Sequence, residues 1–235
     1  MRNLFLCLLA FVGTAQAGEF KHETQLGVVV TGGNTEVEIY NGKTTNTLSW
    51  GKDDRNHVTF GGHYMYGTSS GVENSRNWDV NTKYERSLSK KIGVFTGVKV
   101  EADEFAGIQL RTNLDAGGTY QIYKKDKSYI NSEFGYRYRQ EKNLADEVLR
   151  QSQARLFLEG VRKKSEEFSM KMTVEYLPNF TIGEDWQLNF EPSFNYHFHN
   201  NLALKWGYLG KYDNLPVAGN KKFDFTYTTA LIANF

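Results

Sequence analysis

Five histidines are the side chains of this sequence best suited to metal binding or acid–base chemistry: His22, His57, His63, His197 and His199. His197 and His199 are two residues apart, so on a strand they would share a face and could bind one metal ion. No carboxylate beside them in the sequence completes a ligand set, and the sequence has neither a Gly-rich phosphate loop nor a cysteine cluster. We therefore predict no metal site and no cofactor.

Hydrolysis by a serine that a histidine activates is the second chemistry that these residue types could support. His63 with Ser69 or Ser70 is the best combination in the sequence. No third side chain that would orient the histidine accompanies them. A hydrolase is therefore kept only as the alternative to the function developed below.

Charged side chains recur at every second position within runs of apolar and aromatic residues. Because successive side chains of a strand point to opposite faces, such residues would line one face of a sheet. The candidates for this polar face and its ion pairs are Lys83, Glu85, Lys99, Glu101, Asp103, Arg111, Asp115, Arg137, Arg139, Arg155, Glu159, Lys171, Glu175 and Glu191. Both signs are present, so the face is either a salt-bridged interior or the polar lining of a solute path.

The last residues of the sequence alternate between apolar and polar side chains, as a strand with one apolar and one charged face would. Phe223, Phe225, Tyr227 and Leu231 share one parity, and polar or small residues occupy the other. A strand of about ten residues, aromatic on one face and polar on the other, is typical of a wall between lipid and a polar lumen. The final residue, Phe235, resembles the C-terminal signature of bacterial outer-membrane β-barrels. This resemblance implies that Phe235 is an insertion signal for the barrel-assembly machinery.

Strand and turn signals repeat from Glu19 onward and predict about twelve strands. The connections alternate between longer and shorter, which is typical of long external loops and short periplasmic turns. Thr68–Asn77 and Glu141–Leu149 are predicted as two of the longer loops. The predicted fold is all-β: a closed antiparallel transmembrane β-barrel of about twelve strands.

The first seventeen residues, Met1–Ala17, have the features of a secretory signal peptide. Arg2 precedes an apolar run, and Ala15-Gln16-Ala17 fits the small-x-small cleavage pattern. We therefore divide the sequence into a signal peptide, residues 1–17, and an outer-membrane barrel, residues 18–235. Without Arg2 the 28 basic residues become 27, equal to the 27 acidic residues, which argues against nucleic-acid binding.

Three segments resemble a family of exported bacterial proteins called salt-induced outer-membrane proteins (YdiY-like, domain of unknown function 481). They are Thr31–Glu36, Asp103–Tyr120 with the sequence DEFAGIQLRTNLDAGGTY, and Tyr212–Asp224. The resemblance covers essentially all of the chain after the signal peptide. It implies an outer-membrane barrel, no established activity and, through the family's name, a link to salt stress.

Two hairpins predict specific cross-strand ion pairs. Their turns are taken to be centred on Gly107 and on Ser165. The predicted pairs are Asp103 with Arg111, Glu159 with Lys171, and Arg155 with Glu175.

These observations predict a protein of the bacterial outer membrane that contacts membrane lipid and the barrel-assembly machinery. Its predicted function is a narrow small-solute channel or a structural barrel linked to salt or osmotic stress. The alternative is an outer-membrane hydrolase acting on lipid or lipopolysaccharide. A barrel of eight strands is filled by side chains and one of sixteen or more holds an aqueous channel. A count of about twelve strands therefore leaves the choice between a channel and a filled barrel open. The oligomeric state is also left open.

Overall fold

The computed structural model describes residues 18–31, 37–216 and 219–234. The predicted signal peptide, the predicted tight turn at Gly32-Gly33-Asn34 and the predicted insertion signal Phe235 lie outside the described residues. The strands are β1 (Glu19–Thr31), β2 (Val37–Trp50), β3 (Asn56–Ser69), β4 (Val72–Ser87), β5 (Ile92–Asp103), β6 (Ile108–Lys125), β7 (Ser128–Asn143), β8 (Val148–Lys163), β9 (Phe168–Leu177), β10 (Gln187–His199), β11 (Leu202–Asp213) and β12 (Phe223–Asn234).

Each strand pairs antiparallel with its neighbours in sequence, and β1 pairs with β12, so the sheet closes on itself. The closing pairs run from Glu23 with Asn234 to Leu26 with Leu231. A closed sheet has no edge strand that could pair with another chain. The predicted closed antiparallel barrel of twelve strands is confirmed. Among the described residues, no helix has the length and hydropathy to cross a membrane.

Side chains alternate between the outer wall and the lumen along the strands. On β12, Phe225, Tyr227 and Leu231 are exposed on the outer wall, whereas Ala230 and Ile232 have the opposite parity and are buried. The predicted outward parity of the closing strand is therefore confirmed.

Aromatic side chains gather at both ends of the outer wall. At the end that carries the termini, the ring of Trp50 stacks on Tyr84 with centroids 6.1 Å apart. At the other end, Trp186 stacks on Tyr212 at 5.0 Å and meets Tyr176 edge-on at 5.9 Å. Two such belts are typical of a barrel whose ends lie at the two surfaces of a membrane.

Two predicted loops are wrong in extent. The segment Thr68–Asn77 is mostly strand, because β3 continues to Ser69 and β4 begins at Val72. Ser70 and Gly71 alone turn the chain there, and their φ angles of 51° and 74° suit a tight hairpin turn. Segment 141–149 likewise keeps only residues 144–147 between strands. Both segments are rich in polar residues, which is typical of loops, yet the strand pairing of the hairpins continues into them. The longer connections are 178–186 and 214–222.

We expect the variant Leu231→Arg to lose about 2–4 kcal/mol of unfolding free energy if residue 231 lies near the membrane midplane, and less toward the interface, because a charge would replace an outward-facing apolar side chain. Urea unfolding in lipid vesicles measures this loss. Thr228→Arg is the control, since Thr228 has the lumen-facing parity of the same strand. Equal losses in the two variants would contradict the assignment of the two faces.

Candidate functional site: the charged lumen

The fourteen charged residues predicted to share a face all have the inward parity of their strands. Six further charges also face the lumen: Lys43, Asp79, Glu133, Glu141, Lys205 and Lys211. The alternation of the sequence places Asp79, Glu133, Lys205 and Lys211 on this face. It misses Lys43, which lies in a Thr- and Asn-rich stretch of β2, and Glu141, which it assigns to a loop.

A continuous network of ion pairs occupies the middle of the lumen. Arg137 binds Asp115 through two bonds, Nε to Oδ1 at 2.7 Å and Nη2 to Oδ2 at 2.8 Å. Arg155 donates from Nε to Glu175 Oε1 at 2.6 Å and from Nη1 to Glu133. Arg137 Nη2 also lies 3.2 Å from Glu175 Oε1. The planar guanidinium fork suits such shared carboxylates, so the network ties β6, β7, β8 and β9 together.

An aromatic ring, which the sequence analysis did not single out, lies within this network. Phe95 of β5 points into the lumen and is 5% exposed. Lys83 Nζ lies 5.0 Å and Arg155 Cζ lies 5.6 Å from the ring centroid, distances at which a cation is attracted to the ring face. Lys83 of β4 also forms an ion pair with Glu133 of β7. The network therefore reaches across the lumen as well as along its wall.

Two facing glycines make room for the Phe95 ring. Gly117 of β6 stands directly opposite Gly135 of β7, and both have the lumen-facing parity. A Cβ on Gly135 would lie 3.0 Å from Phe95 Cζ, and a Cβ on Gly117 would lie 2.2 Å from the backbone oxygen of Phe134. Gly117 belongs to the Asp103–Tyr120 segment that carries the family resemblance, so that segment has a packing role.

A second group of ion pairs lies nearer the mouth that faces away from the termini. Arg111 Nε donates to Glu141 Oε2 at 2.6 Å, and its Nη1 lies 3.4 Å from Glu101 Oε1. Lys99 Nζ lies 2.6 Å from Glu101 Oε2. These contacts join β5, β6 and β7.

Arg139 forms hydrogen bonds with neutral side chains rather than ion pairs with carboxylates. It is 2% exposed, and it donates from Nε to Asn113 Oδ1 at 3.1 Å and from Nη2 to Gln187 Oε1 at 3.0 Å. Gln153, which stands opposite Arg137, is fully buried, and its amide group has no hydrogen-bond partner among the described residues. This part of the lumen is filled by side chains.

The predicted ion pair between Asp103 and Arg111 is wrong. Glu101 stands opposite Arg111, and the register shifts between Glu101 and Asp103. Asp103 Oδ1 accepts a hydrogen bond from the backbone N–H of Ala106 at 3.1 Å, in a turn that contains Gly107 at φ 81°. Aspartate commonly bonds the backbone of its own turn, and this local bond replaces the cross-strand pair.

The predicted ion pairs between β8 and β9 are present, although the predicted register is wrong by two residues. Lys171 Nζ lies 2.7 Å from Glu159 Oε2, and Arg155 binds Glu175 as described above. Glu159, however, stands opposite Thr173 rather than Lys171. Long side chains reach diagonal neighbours, so the pairs survive the shift.

The error in register comes from the turn between β8 and β9. The backbone N–H of Lys164 donates to Phe168 O at 3.0 Å, which centres the turn on Glu166 rather than on Ser165. A shift of two residues preserves the parity of every side chain, whereas a shift of one would turn charges outward. The alternation of the sequence therefore predicts correctly which face each side chain occupies, but it does not predict the register between the strands.

The connection between β9 and β10 first continues along β8, where the backbone N–H of Phe180 donates to Ser152 O at 2.8 Å. Its Asp185 is buried and accepts hydrogen bonds from Gln151 Nε2 at 2.5 Å and Asn179 Nδ2 at 3.1 Å. Burial, reinforced by the nearby carboxylate of Asp213, raises the pKa of Asp185.

The predicted serine–histidine combination is not assembled. His63 faces the lumen, and its Nδ1 lies 3.8 Å from Asp79 Oδ2. Ser69 lies further along the same strand, about 20 Å away at a rise of about 3.3 Å per residue, and Ser70 is the residue after it. Neither hydroxyl is within hydrogen-bond reach of His63.

A different serine–histidine contact, missed in the sequence, lies near the end that carries the termini. Ser49 Oγ is 2.9 Å from His57 Nδ1, but Ser49 is buried at 6% exposure. Glu85 stands opposite His57 and lies 3.2 Å from Lys83 Nζ.

Among the described residues, no group of three or more His, Cys, Asp or Glu side chains could hold a metal ion, and a register shift separates His197 from His199.

The closed sheet, the two aromatic belts and the charged lumen define a β-barrel of the outer-membrane type. The chain belongs to the family described as "Protein of unknown function, DUF481", whose match spans residues 24–235. The family resemblance found in the sequence is thereby confirmed. No curated protein sequence matches the chain.

Solved outer-membrane barrels share the fold at low sequence identity. The COG4313 outer membrane channel from Pseudomonas putida F1 has a TM-score of 0.56 and 12% identity, over 93% of this chain and 96% of that one. The NanC porin has a TM-score of 0.55 and 10% identity, over 92% and 98%. The KdgM porin in complex with disordered oligogalacturonate has a TM-score of 0.50 and 9% identity, over 92% and 99%.

We expect Gly117→Ala to lower the unfolding free energy by about 1–3 kcal/mol, because its Cβ would overlap backbone atoms that have to shift. Gly118→Ala is the matched control, since its Cβ would meet nothing closer than 3.7 Å. Urea unfolding of both purified variants measures the difference. Equal stabilities would show that the backbones of β6 and β7 can separate at Gly117 without cost.

We expect Glu159→Lys to destabilise the barrel, because it would place a second positive charge beside Lys171. Adding Lys171→Glu should recover part of the loss, since it restores an ion pair at the same place. Unfolding free energies of the two single variants and the double variant form the cycle. A double variant equal to the sum of the singles would mean that the two side chains do not interact.

Proposed function

We propose that this protein is a narrow channel for small solutes in the outer membrane of a bacterium. Three features support the location: the apolar outer wall, the two aromatic belts and a fold shared with solved outer-membrane barrels. The COG4313 protein is described as a channel, and NanC and KdgM are described as porins. Their fold is compatible with transport of small solutes.

The observation that carries the proposal is that the lumen is filled unevenly. The side chains of Arg137 and Arg155, in the ion-pair network, are 9% and 11% exposed. Lys99, Lys171 and Glu191 also face the lumen, and their side chains are 39%, 45% and 34% exposed. Side chains in the middle of a barrel keep such exposure only if water reaches them, so space remains beside the network.

Lys43 is one lumen-facing charge at which the solute path can be tested. The residues directly opposite Lys43 on the two neighbouring strands are Gln25 and His63. Within the described part of the chain, no carboxylate lies within ion-pair distance of its Nζ. The nearest carboxylates have other partners, since Glu191 binds Lys205 at 3.2 Å and Asp79 faces His63. A passing anion would therefore meet an ammonium group that is not already neutralised.

Planar-bilayer recordings of the purified protein test the channel directly. We expect discrete conductance steps whose size is small, because the arginine network narrows the lumen. A protein that inserts and folds but stays electrically silent would favour the structural barrel over the channel.

Lys43→Glu tests whether the solute path passes this side chain. Reversing the charge should lower the permeability of chloride relative to potassium, measured as a shift in reversal potential across a salt gradient. Lys52→Glu is the control, because Lys52 is exposed in the turn between β2 and β3. Equal shifts in both variants would place the path elsewhere.

A role in salt or osmotic stress is the second part of the proposal, and the family resemblance supports it. Growth of a deletion strain at raised salt concentration tests it, with the wild-type copy restored as the control.

The alternative of a lipid or lipopolysaccharide hydrolase has weaker support, because neither serine–histidine arrangement combines an exposed serine with an orienting third residue.

A further inference from the structure

The outer wall formed by β1, β2 and β3 carries a hydrogen-bonded cluster of polar side chains. His22 stands opposite Asn46, and its Nδ1 lies 2.7 Å from Asn46 Oδ1. The Nε2 of the same ring lies 2.8 Å from Thr24 Oγ1. Thr24 in turn stands opposite Thr44. We call His22, Thr24, Thr44 and Asn46 the β1–β3 patch.

Apolar rows enclose the β1–β3 patch on both sides, so it lies within the apolar belt and not at its edge. Toward the termini, Phe20, Leu48 and Val58 form one cross-strand row of the outer wall. Toward the other end, Leu26 and Tyr64 flank Gly42 in another. Polar side chains at membrane depth are costly and usually face protein rather than lipid.

A groove and a ridge adjoin the patch. The groove has a volume of about 380 Å³ and is lined by Thr24, Gly42, Thr44, Gly62, Tyr64 and Trp78, among others. Gly42 and Gly62 present no side chain to the outer wall, which leaves the surface recessed there. On β1 next to the groove, Leu26 and Val28 are 61% and 62% exposed and project from the wall. We call these two side chains the ridge.

We propose that the β1–β3 patch is the contact surface for a second copy of this chain. The imidazole, amide and hydroxyl groups of the patch can both donate and accept hydrogen bonds, so the surface is complementary to itself. A two-fold pair uses the same surface on both copies, and the ridge of each copy would face the groove of the other. Transmembrane helices associate through small residues and polar side chains, and the β1–β3 patch and its groove combine the same two features.

On the far side of the barrel, the outer wall of β8 and β9 carries apolar side chains where the β1–β3 patch carries polar ones. Leu158 of β8 and Met172 of β9 face outward and are 42% and 51% exposed. Their neighbours on the same face, Leu156 and Met170, are also apolar and partly exposed. This wall supplies matched control positions.

Single cysteines test the proposal in native membranes. The only cysteine of the sequence is Cys7, within the predicted signal peptide, so an introduced cysteine would be the only thiol of the processed chain. We expect Thr24→Cys or Thr44→Cys to form a disulfide-linked dimer on mild oxidation. Leu158→Cys should remain monomeric. No dimer at either patch position, or equal dimer at Leu158→Cys, would overturn the proposal and indicate that lipid alone covers the patch.

A second measurement keeps the test independent of the thiol chemistry. Asn46→Leu removes a polar group from the patch and should leave the barrel folded, because it makes the outer wall more apolar. We expect the association constant of the dimer, measured by energy transfer between labelled copies in vesicles, to fall about tenfold. An unchanged association constant would show that the copies meet through another surface. Channel conductance is a separate readout, so this proposal and the proposed channel function can fail independently.

Discussion

The structure depends on one constraint: inside a membrane, the backbone has no water with which to form hydrogen bonds. A sheet meets this constraint only if it closes, and here β1 closes on β12. Closure fixes the alternation of every strand, because one face then meets hydrocarbon and the other meets the lumen. The apolar face of β12 and the charged face of β7 are two results of the same requirement.

Closure at twelve strands also creates an interior too wide to be filled by small side chains. Arginines fill one side of it, each bonded to carboxylates or amides of neighbouring strands, as for Arg137 with Asp115. Removing one member of such a buried pair would leave a charge without a partner. Lysine is a more compact and more strongly hydrated cation, and Lys99 and Lys171 keep contact with water on the less crowded side.

The sequence was sufficient for the fold and for the faces, because alternation with a period of two is set by the backbone itself. It was insufficient for the register, which depends on a few turn residues. Asp103 bonds its own turn at Ala106, and the turn after β8 is centred one residue later than the sequence suggested. Contacts across the lumen are beyond sequence reasoning of this kind: Lys83 and Glu133 lie on strands that are not neighbours. Lys43 was missed because the stretch around it, residues 41–47 with the sequence NGKTTNT, is polar or small on both faces, so no apolar alternation marks its face.

The pairing of Glu23 with Asn234 has a consequence for the order of events in folding. Every other strand can pair with the segment made just before it, but the first strand has to wait for the last. Until β12 arrives, a growing sheet exposes two unpaired edges along its whole length, and such edges recruit other chains. Contacts between distant parts of a chain also form slowly. The protein therefore needs protection during the interval between its synthesis and its closure, and the length of that interval is set by its final strand.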